Sequence, residues 1–126
     1  RKDGFHSLST LFQRIGLADT LQFSLRKDGR IVLSCNDKRL PVDEGNLAFR
    51  SAALLQKRYH VTQGVNLRLH KRIPLGSGMG GGSSDAATVL LGLNRLWQLG
   101  LSLEQLVAIG RRIGSEIFIS AGHFKL

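Results

Sequence analysis

The stretch Ile73-Pro74-Leu75-Gly76-Ser77-Gly78-Met79-Gly80-Gly81-Gly82-Ser83-Ser84-Asp85-Ala86-Ala87 holds the residues whose types and spacing speak most directly of chemistry. Gly76, Gly78, Gly80, Gly81 and Gly82 let backbone N–H groups converge on a ligand with no Cβ in the way. An apolar-periodic helix follows, and its first turn adds further N–H groups and the positive end of its dipole. The expected ligand is a phosphate. Ser83, Ser84 and Asp85 cluster at the expected helix start, where a hydroxyl or carboxylate caps orphan donors and a serine also comes within reach of a phosphate.

Several glycine loops bind phosphates, and most do not fit. Residues 76–81 match G-x-G-x-x-G, but a dinucleotide fold requires a second strand after the helix, ending in an acidic residue about 20 positions beyond the glycines. Here Ser102-Leu103-Glu104-Gln105 reads as a capping box that opens another helix instead, with Leu106, Ile109 and Ile113 on one face. A Walker A loop would place Lys where Gly82 stands, and the V-A-I-K and H-R-D strings of protein kinases are missing.

The run from Pro74 to Ser84 resembles the ATP loop of the GHMP small-molecule kinases, Pro-x-x-x-Gly-Leu-Gly-Gly-Gly-Ser-Ser, with Met79 at the Leu position. The longer string through Ala87, with Leu93-Asn94-Arg95-Leu96-Trp97 and Gly100-Leu101-Ser102, is similar to one branch of that superfamily. Its members phosphorylate a cytidine diphosphate conjugate of methylerythritol in non-mevalonate isoprenoid biosynthesis. Arg1-Lys2-Asp3-Gly4-Phe5-His6-Ser7-Leu8 resembles a second string of the same branch, Arg-x-Asp-Gly-Tyr-His-x-Leu.

The resemblance implies ATP and Mg²⁺ as cofactors. It places ATP contacts at Pro74, Gly76, Ser77, Gly78, Met79, Gly80, Gly81, Gly82, Ser83 and Ser84, with Asn46 and Lys71 near the adenine. It assigns stacking on the cytosine to Phe5 and a hydrogen bond to that base to His6. Glu116, in Gly114-Ser115-Glu116-Ile117-Phe118-Ile119, stands where the family has an Asp, and is the candidate catalytic base by resemblance. Glu keeps the charge on an arm one methylene longer, and the family's Pro is missing from this segment. Read without the family, Phe5 is a core residue, His6 a solvated one, Asn46 a helix cap, Lys71 a strand-end cation and Glu116 a solvated glutamate. No residue is assigned to a metal.

These residues need elements to position them. Leu8 to Phe12 reads as a strand, and Leu21, Phe23 and Leu25 alternate as another. Asp28-Gly29 reads as a hairpin turn, with Ile31 to Cys35 returning as the partner strand. Asn46-Leu47 opens a helix through Arg58, with Leu47, Leu54 and Leu55 buried, after a Pro41 to Gly45 loop. Val65, Leu67 and Leu69 alternate in a strand that delivers the chain to the glycines. Ala86, Val89, Leu90, Leu93, Leu96 and Trp97 form one apolar stripe, which Gly100 ends. The expected fold is α+β, a mixed sheet packed by helices with the glycine-rich loop leading into a helix. By resemblance residues 1–126 are a GHMP-kinase N-terminal-type, ATP-binding domain truncated at both ends. The family's Lys-bearing first strand and its C-terminal domain are expected to lie outside this sequence.

The 126 residues, 42% hydrophobic, suffice for one core. Eighteen Lys and Arg against nine Asp and Glu give a net charge of +9, enough to attract nucleic acid nonspecifically. Such a basic nucleic-acid-binding domain is the alternative from a different class, and a catalytically silent nucleotide-binding fragment the alternative within the family. The basic residues are dispersed in pairs, Arg26-Lys27, Lys38-Arg39, Lys57-Arg58, Lys71-Arg72 and Arg111-Arg112 among them, and only Tyr59 adjoins one as a stacking partner. The expected partners are therefore a small-molecule substrate and ATP, with no specific nucleic acid and no membrane. No apolar run is long enough to span a bilayer. The single Cys35 reads as an inert thiol of a reducing compartment, which points to the cytoplasm, or to a plastid in a plant or alga.

Overall fold

The computed structural model describes residues 10–15, 19–72 and 81–114, and for residues 81–84 the backbone only. Among the described residues four strands, β1 (Thr10–Ile15), β2 (Asp19–Arg26), β3 (Ile31–Cys35) and β4 (Gly64–His70), form one mixed sheet, and three helices, α1 (Leu47–Arg58), α2 (Gly81–Leu96) and α3 (Leu103–Ile113), make the fold α+β. The sheet order is β1-β2-β4-β3.

Alternation decides which face of the sheet is inside. Leu21 and Phe23 of β2 stand opposite Leu69 and Leu67 of β4, which in turn stand opposite Cys35 and Leu33 of β3. Phe23, Leu21, Val65, Leu67 and Leu69 are buried, and the helices cover them: α2 packs on β1, β2 and α1, and α1 on β3. The same alternation turns Gln22, Ser24, Ser34, Asn66 and Arg68 to the other face, where they line a shallow polar concavity.

The order corrects the hairpin reading. β3 runs antiparallel to β2 in direction, but its neighbour is β4, which pairs antiparallel with β2 and parallel with β3. The Asp28-Gly29 turn therefore joins two strands that leave a strand-wide gap, and β4 fills it. Gly64 makes the insertion possible: a Cβ there would overlap the Arg30 carbonyl and lie 2.7 Å from the Asp28 carbonyl oxygen. The Val65 N–H donates to the Arg30 carbonyl at 3.0 Å, so the turn closes onto the inserted strand.

The helices follow their sequence signals with adjustments at the ends. Ser102 caps α3 as expected, its Oγ accepting from the Gln105 N–H at 3.1 Å while the Ser102 N–H donates to Gln105 Oε1 at 2.9 Å. In α1 the buried positions are Ala48, Ser51, Ala52 and Leu55, so Leu47 and Leu54 are only partly covered. Small residues on that face let α1 approach α2 closely. α2 begins at Gly81 and ends at Leu96, before Gly100. Gln98 already has φ 53°, and Asn94 then fixes the turn into α3 by bonding both the N–H and the carbonyl of Leu101. Where α2 crosses β2, Gly92 lies on the Phe23 ring, and a Cβ at Gly92 would overlap Cζ and come within 2.7 Å of Cε2.

Candidate functional site

The chain enters the glycine-rich segment through Lys71 and Arg72, and side chains from two other strands hold that entry. Asn36, just after β3, accepts from the Lys71 N–H at 2.7 Å and donates to the Lys71 carbonyl at 2.9 Å. Asp19, the first residue of β2, accepts from the Arg72 N–H at 2.7 Å through Oδ1. Its Oδ2 lies 2.8 Å from Lys71 Nζ. Asp85 of α2 reaches the same ammonium from the other side, with Oδ2 at 3.7 Å.

All three charged side chains of this cluster are almost fully enclosed, 5%, 6% and 3% exposed for Asp19, Lys71 and Asp85. Burial works against the Lys71 ammonium, but the bond to Asp19 and the charges of Asp85 and Asp19 outweigh it, so its pKa is raised. Asp85 goes the other way. Burial dominates the attraction of Lys71, with the Asp19 charge adding to it, and pushes its carboxyl up to about 6. Asp85 Oδ1 and the Thr88 hydroxyl one turn on are both buried without a hydrogen-bond partner among the described residues. Cys35, close enough to feel both charges, is a free thiol whose pKa burial raises.

The residues expected from the sequence divide as follows. Gly81, Gly82, Ser83 and Ser84 form the first turn of α2, so the glycine segment does run into a helix, which begins two residues before Ser83 and four before Asp85. Asp85 is consequently no cap but an ion-pair partner inside the helix. Lys71 is drawn to this helix by Asp85. Asn46 is the N-cap of α1, accepting from the Ala48 N–H at 2.8 Å and donating to the Pro41 carbonyl at 3.0 Å. Phe5, His6, Pro74, Gly76, Ser77, Gly78, Met79, Gly80 and Glu116 lie outside the described residues. Asn46→Ala should cost about 1 kcal/mol, the usual worth of a cap, as read by urea unfolding.

Sequence reading missed Asp19 and Asn36, which have no motif of their own and act only through the pairing that brings the start of β2 and the end of β3 beside the end of β4. Among the described residues no group of three or more His, Cys, Asp or Glu is placed to hold a metal ion, and no helix is long and apolar enough to cross a membrane. The basic pairs are partly spoken for. Arg26 binds Asp28 at 2.8 Å and Asn66 at 2.7 Å, Arg39 binds Asp37 at 2.9 Å, and Lys71 is enclosed.

A mixed sheet with helices on one face, and a glycine-rich segment feeding a helix packed on the core, is a frame that can present backbone N–H groups to a phosphate. Residues 46–124 match the family described as GHMP kinases N terminal domain, and the chain belongs to that family. It is 47% identical over 93% of its length to the 4-diphosphocytidyl-2-C-methyl-D-erythritol kinase of Shouchella clausii, and 49% identical over the same share to that of Dechloromonas aromatica. It spans 39% and 42% of those proteins, about two fifths of their length. Among solved structures it is similar to a 4-(cytidine 5'-diphospho)-2C-methyl-D-erythritol kinase, at 36% identity and a TM-score of 0.64 over 86% of this chain and 37% of that one. The homoserine kinase of Cytophaga hutchinsonii shares the fold, at 24% identity and a TM-score of 0.65 over 80% of this chain and 34% of that one.

Proposed function

We propose that this protein transfers the γ-phosphoryl group of ATP to the 2-hydroxyl of 4-diphosphocytidyl-2-C-methyl-D-erythritol, a step of non-mevalonate isoprenoid biosynthesis. The observation that carries this reading is the identity of nearly half over 93% of the chain to relatives bearing that kinase's name. The helix beginning at Gly81, directly on the glycine run, supports the phosphate half of it. In this reading the N–H groups from Gly76 to Ser84 donate to the phosphate oxygens of ATP, flanked by Pro74, Ser77 and Met79, while Asn46, the cap of α1, and Lys71, enclosed by Asp19 and Asp85, support the adenine side of the site without touching the base. Phe5 stacks on the cytosine and His6 bonds its edge.

Phosphoryl transfer asks the protein for positioning and charge stabilisation more than for covalent chemistry. The acceptor oxygen bonds to the γ-phosphorus, the bond to the β,γ-bridging oxygen breaks, ADP leaves, and the hydroxyl proton passes to the Glu116 carboxylate. Mg²⁺ would enter with the nucleotide as MgATP, held through its phosphates.

Titrating ATP and the cytidine diphosphate substrate separately into the chain and two variants tests this. Gly81→Leu places a helix-forming side chain in the first turn of α2 and should abolish ATP binding while leaving the cytidine ligand. Phe5→Ala should do the reverse, weakening the cytidine ligand by about 1–3 kcal/mol. If both ligands weaken together in either variant, the two half-sites are not separate and the reading fails.

A further inference from the structure

The Asp19, Lys71 and Asp85 cluster is more than a buried ion pair, because of where its members fall along the chain. Lys71 and Arg72 lead into residues 73–80, and Asp85 lies just beyond them, in the second turn of α2. The entry is fixed twice over, by Asn36 on the Lys71 backbone and by Asp19 on the Arg72 N–H. The Lys71 side chain then crosses to Asp85, so one ammonium ties the incoming limb of the glycine-rich segment to the outgoing one.

Asp85 is a costly choice for that position. It is 2% exposed, one of its oxygens has no hydrogen-bond partner among the described residues, and Lys71 already has a closer partner in Asp19. An alanine or leucine would pack there without burying a half-satisfied carboxylate. Groups that cost stability persist where they hold a geometry that function needs. We propose that Asp85 is a positioning residue. Its ion pair with Lys71 staples the two limbs of the glycine-rich segment and so fixes the direction in which the first-turn N–H groups of α2 meet a phosphate. This rests on the phosphate reading of the segment, and goes beyond it in giving a role to a residue that touches no ligand.

The staple is tested with Asp85→Asn and Asp85→Ala in the intact chain, by amide hydrogen exchange and by ligand titration at pH 8. Asp85→Asn keeps the shape, removes the charge, and should leave the urea midpoint unchanged or higher. Exchange of the amides from Gly81 to Val89 should nevertheless quicken at least tenfold, and the Kd for MgATP should rise roughly three- to tenfold. Asp85→Ala should raise that Kd more than tenfold, with the Kd for the cytidine diphosphate substrate unchanged in both variants. Rescue from Ala to Asn, ATP loss without cytidine loss, and local opening without global destabilisation are things a residue that only supports the fold would not produce.

Unchanged exchange and unchanged ATP affinity in Asp85→Asn overturn the proposal, and so does parallel weakening of both ligands. If Asp85→Ala does not fold, Asp85→Asn decides alone. Failure of the unsubstituted chain to bind ATP would overturn the phosphate reading instead, and the exchange rates would still decide whether the staple exists.

Discussion

Phe23→Ala should cost about 3–5 kcal/mol, a large share of the roughly 5–15 kcal/mol that holds a single domain together. Phe23 is fully buried in β2, between Leu11 of β1 and Leu67 of β4, and its ring lies directly under Gly92 of α2. The lost area is therefore only part of the cost. The backbone of α2 rests on the ring at a distance that even one methyl group would violate, so the helix cannot settle far enough to close the cavity. Urea unfolding measures the loss, and a value below about 1 kcal/mol would mean that α2 and β2 do not meet there. The converse change, Gly92→Ala, forces the ring aside and should cost about 1–3 kcal/mol. Combined with Phe23→Leu it should cost less than the sum of the two single changes, because the smaller side chain vacates the space that the new Cβ needs.

Between pH 4 and pH 6 the chain should lose stability as pH rises, and Asp85 should be the cause. Its carboxyl titrates near 6 in the fold against an ordinary 3.8, so within this window the native state keeps a proton that the unfolded chain has released. The stabilisation is complete below about 3.8, declines through the window, and is gone above about 6. At about 1.4 kcal/mol per pH unit the decline amounts to about 3 kcal/mol. Asp28 has the opposite sign and a different window. Its bonds to Arg26 and the Arg30 N–H lower its pKa to about 2, so what it contributes is present above its ordinary value and is lost on acidification toward 2. Chemical denaturation at closely spaced pH values separates the two. Asp85→Asn should flatten the curve between 4 and 6 and leave the acid limb below 4 in place.

Much of the frame was legible because it rests on local rules. The two-residue period of Leu21, Phe23 and Leu25 and of Val65, Leu67 and Leu69 places the strands, and Ser102 with Gln105 places the start of α3 to the residue. What stayed hidden was anything set by a neighbour in space. Alternation says which face of β3 is inside but not which strand it pairs with, so nothing in Ile31 to Cys35 announced β4 rather than β2. Two glycines opening α2 contradict helix propensity, and only the packing of Ala86, Val89, Leu90 and Leu93 on the core makes a helix from Gly81 worthwhile. For the same reason Asp85 looked like a cap and proved to be a partner of Lys71. Asp19 carries no sequence signal at all until β2 is laid beside β4.

The insertion of β4 between β2 and β3 also sets an order of events. A ribosome delivers β1, β2, β3 and α1 before β4, yet in the finished sheet β2 and β3 share no ladder and each waits for the strand that follows α1. Until Gly64 to His70 emerge, the nascent chain can close only the β1–β2 pair, and one edge of β2 and all of β3 stay open to pairing with other chains. Sheet completion thus depends on contacts across separations of 38 residues, between Arg26 and Gly64 at one end of the ladder, to 50, between Thr20 and His70 at the other, a topology that slows folding and prolongs exposure to aggregation. Release of nested C-terminal truncations from the ribosome would show it as a threshold: protease resistance should be absent in every chain that stops before β4 and appear only in chains that carry β4 together with α2, which covers the sheet.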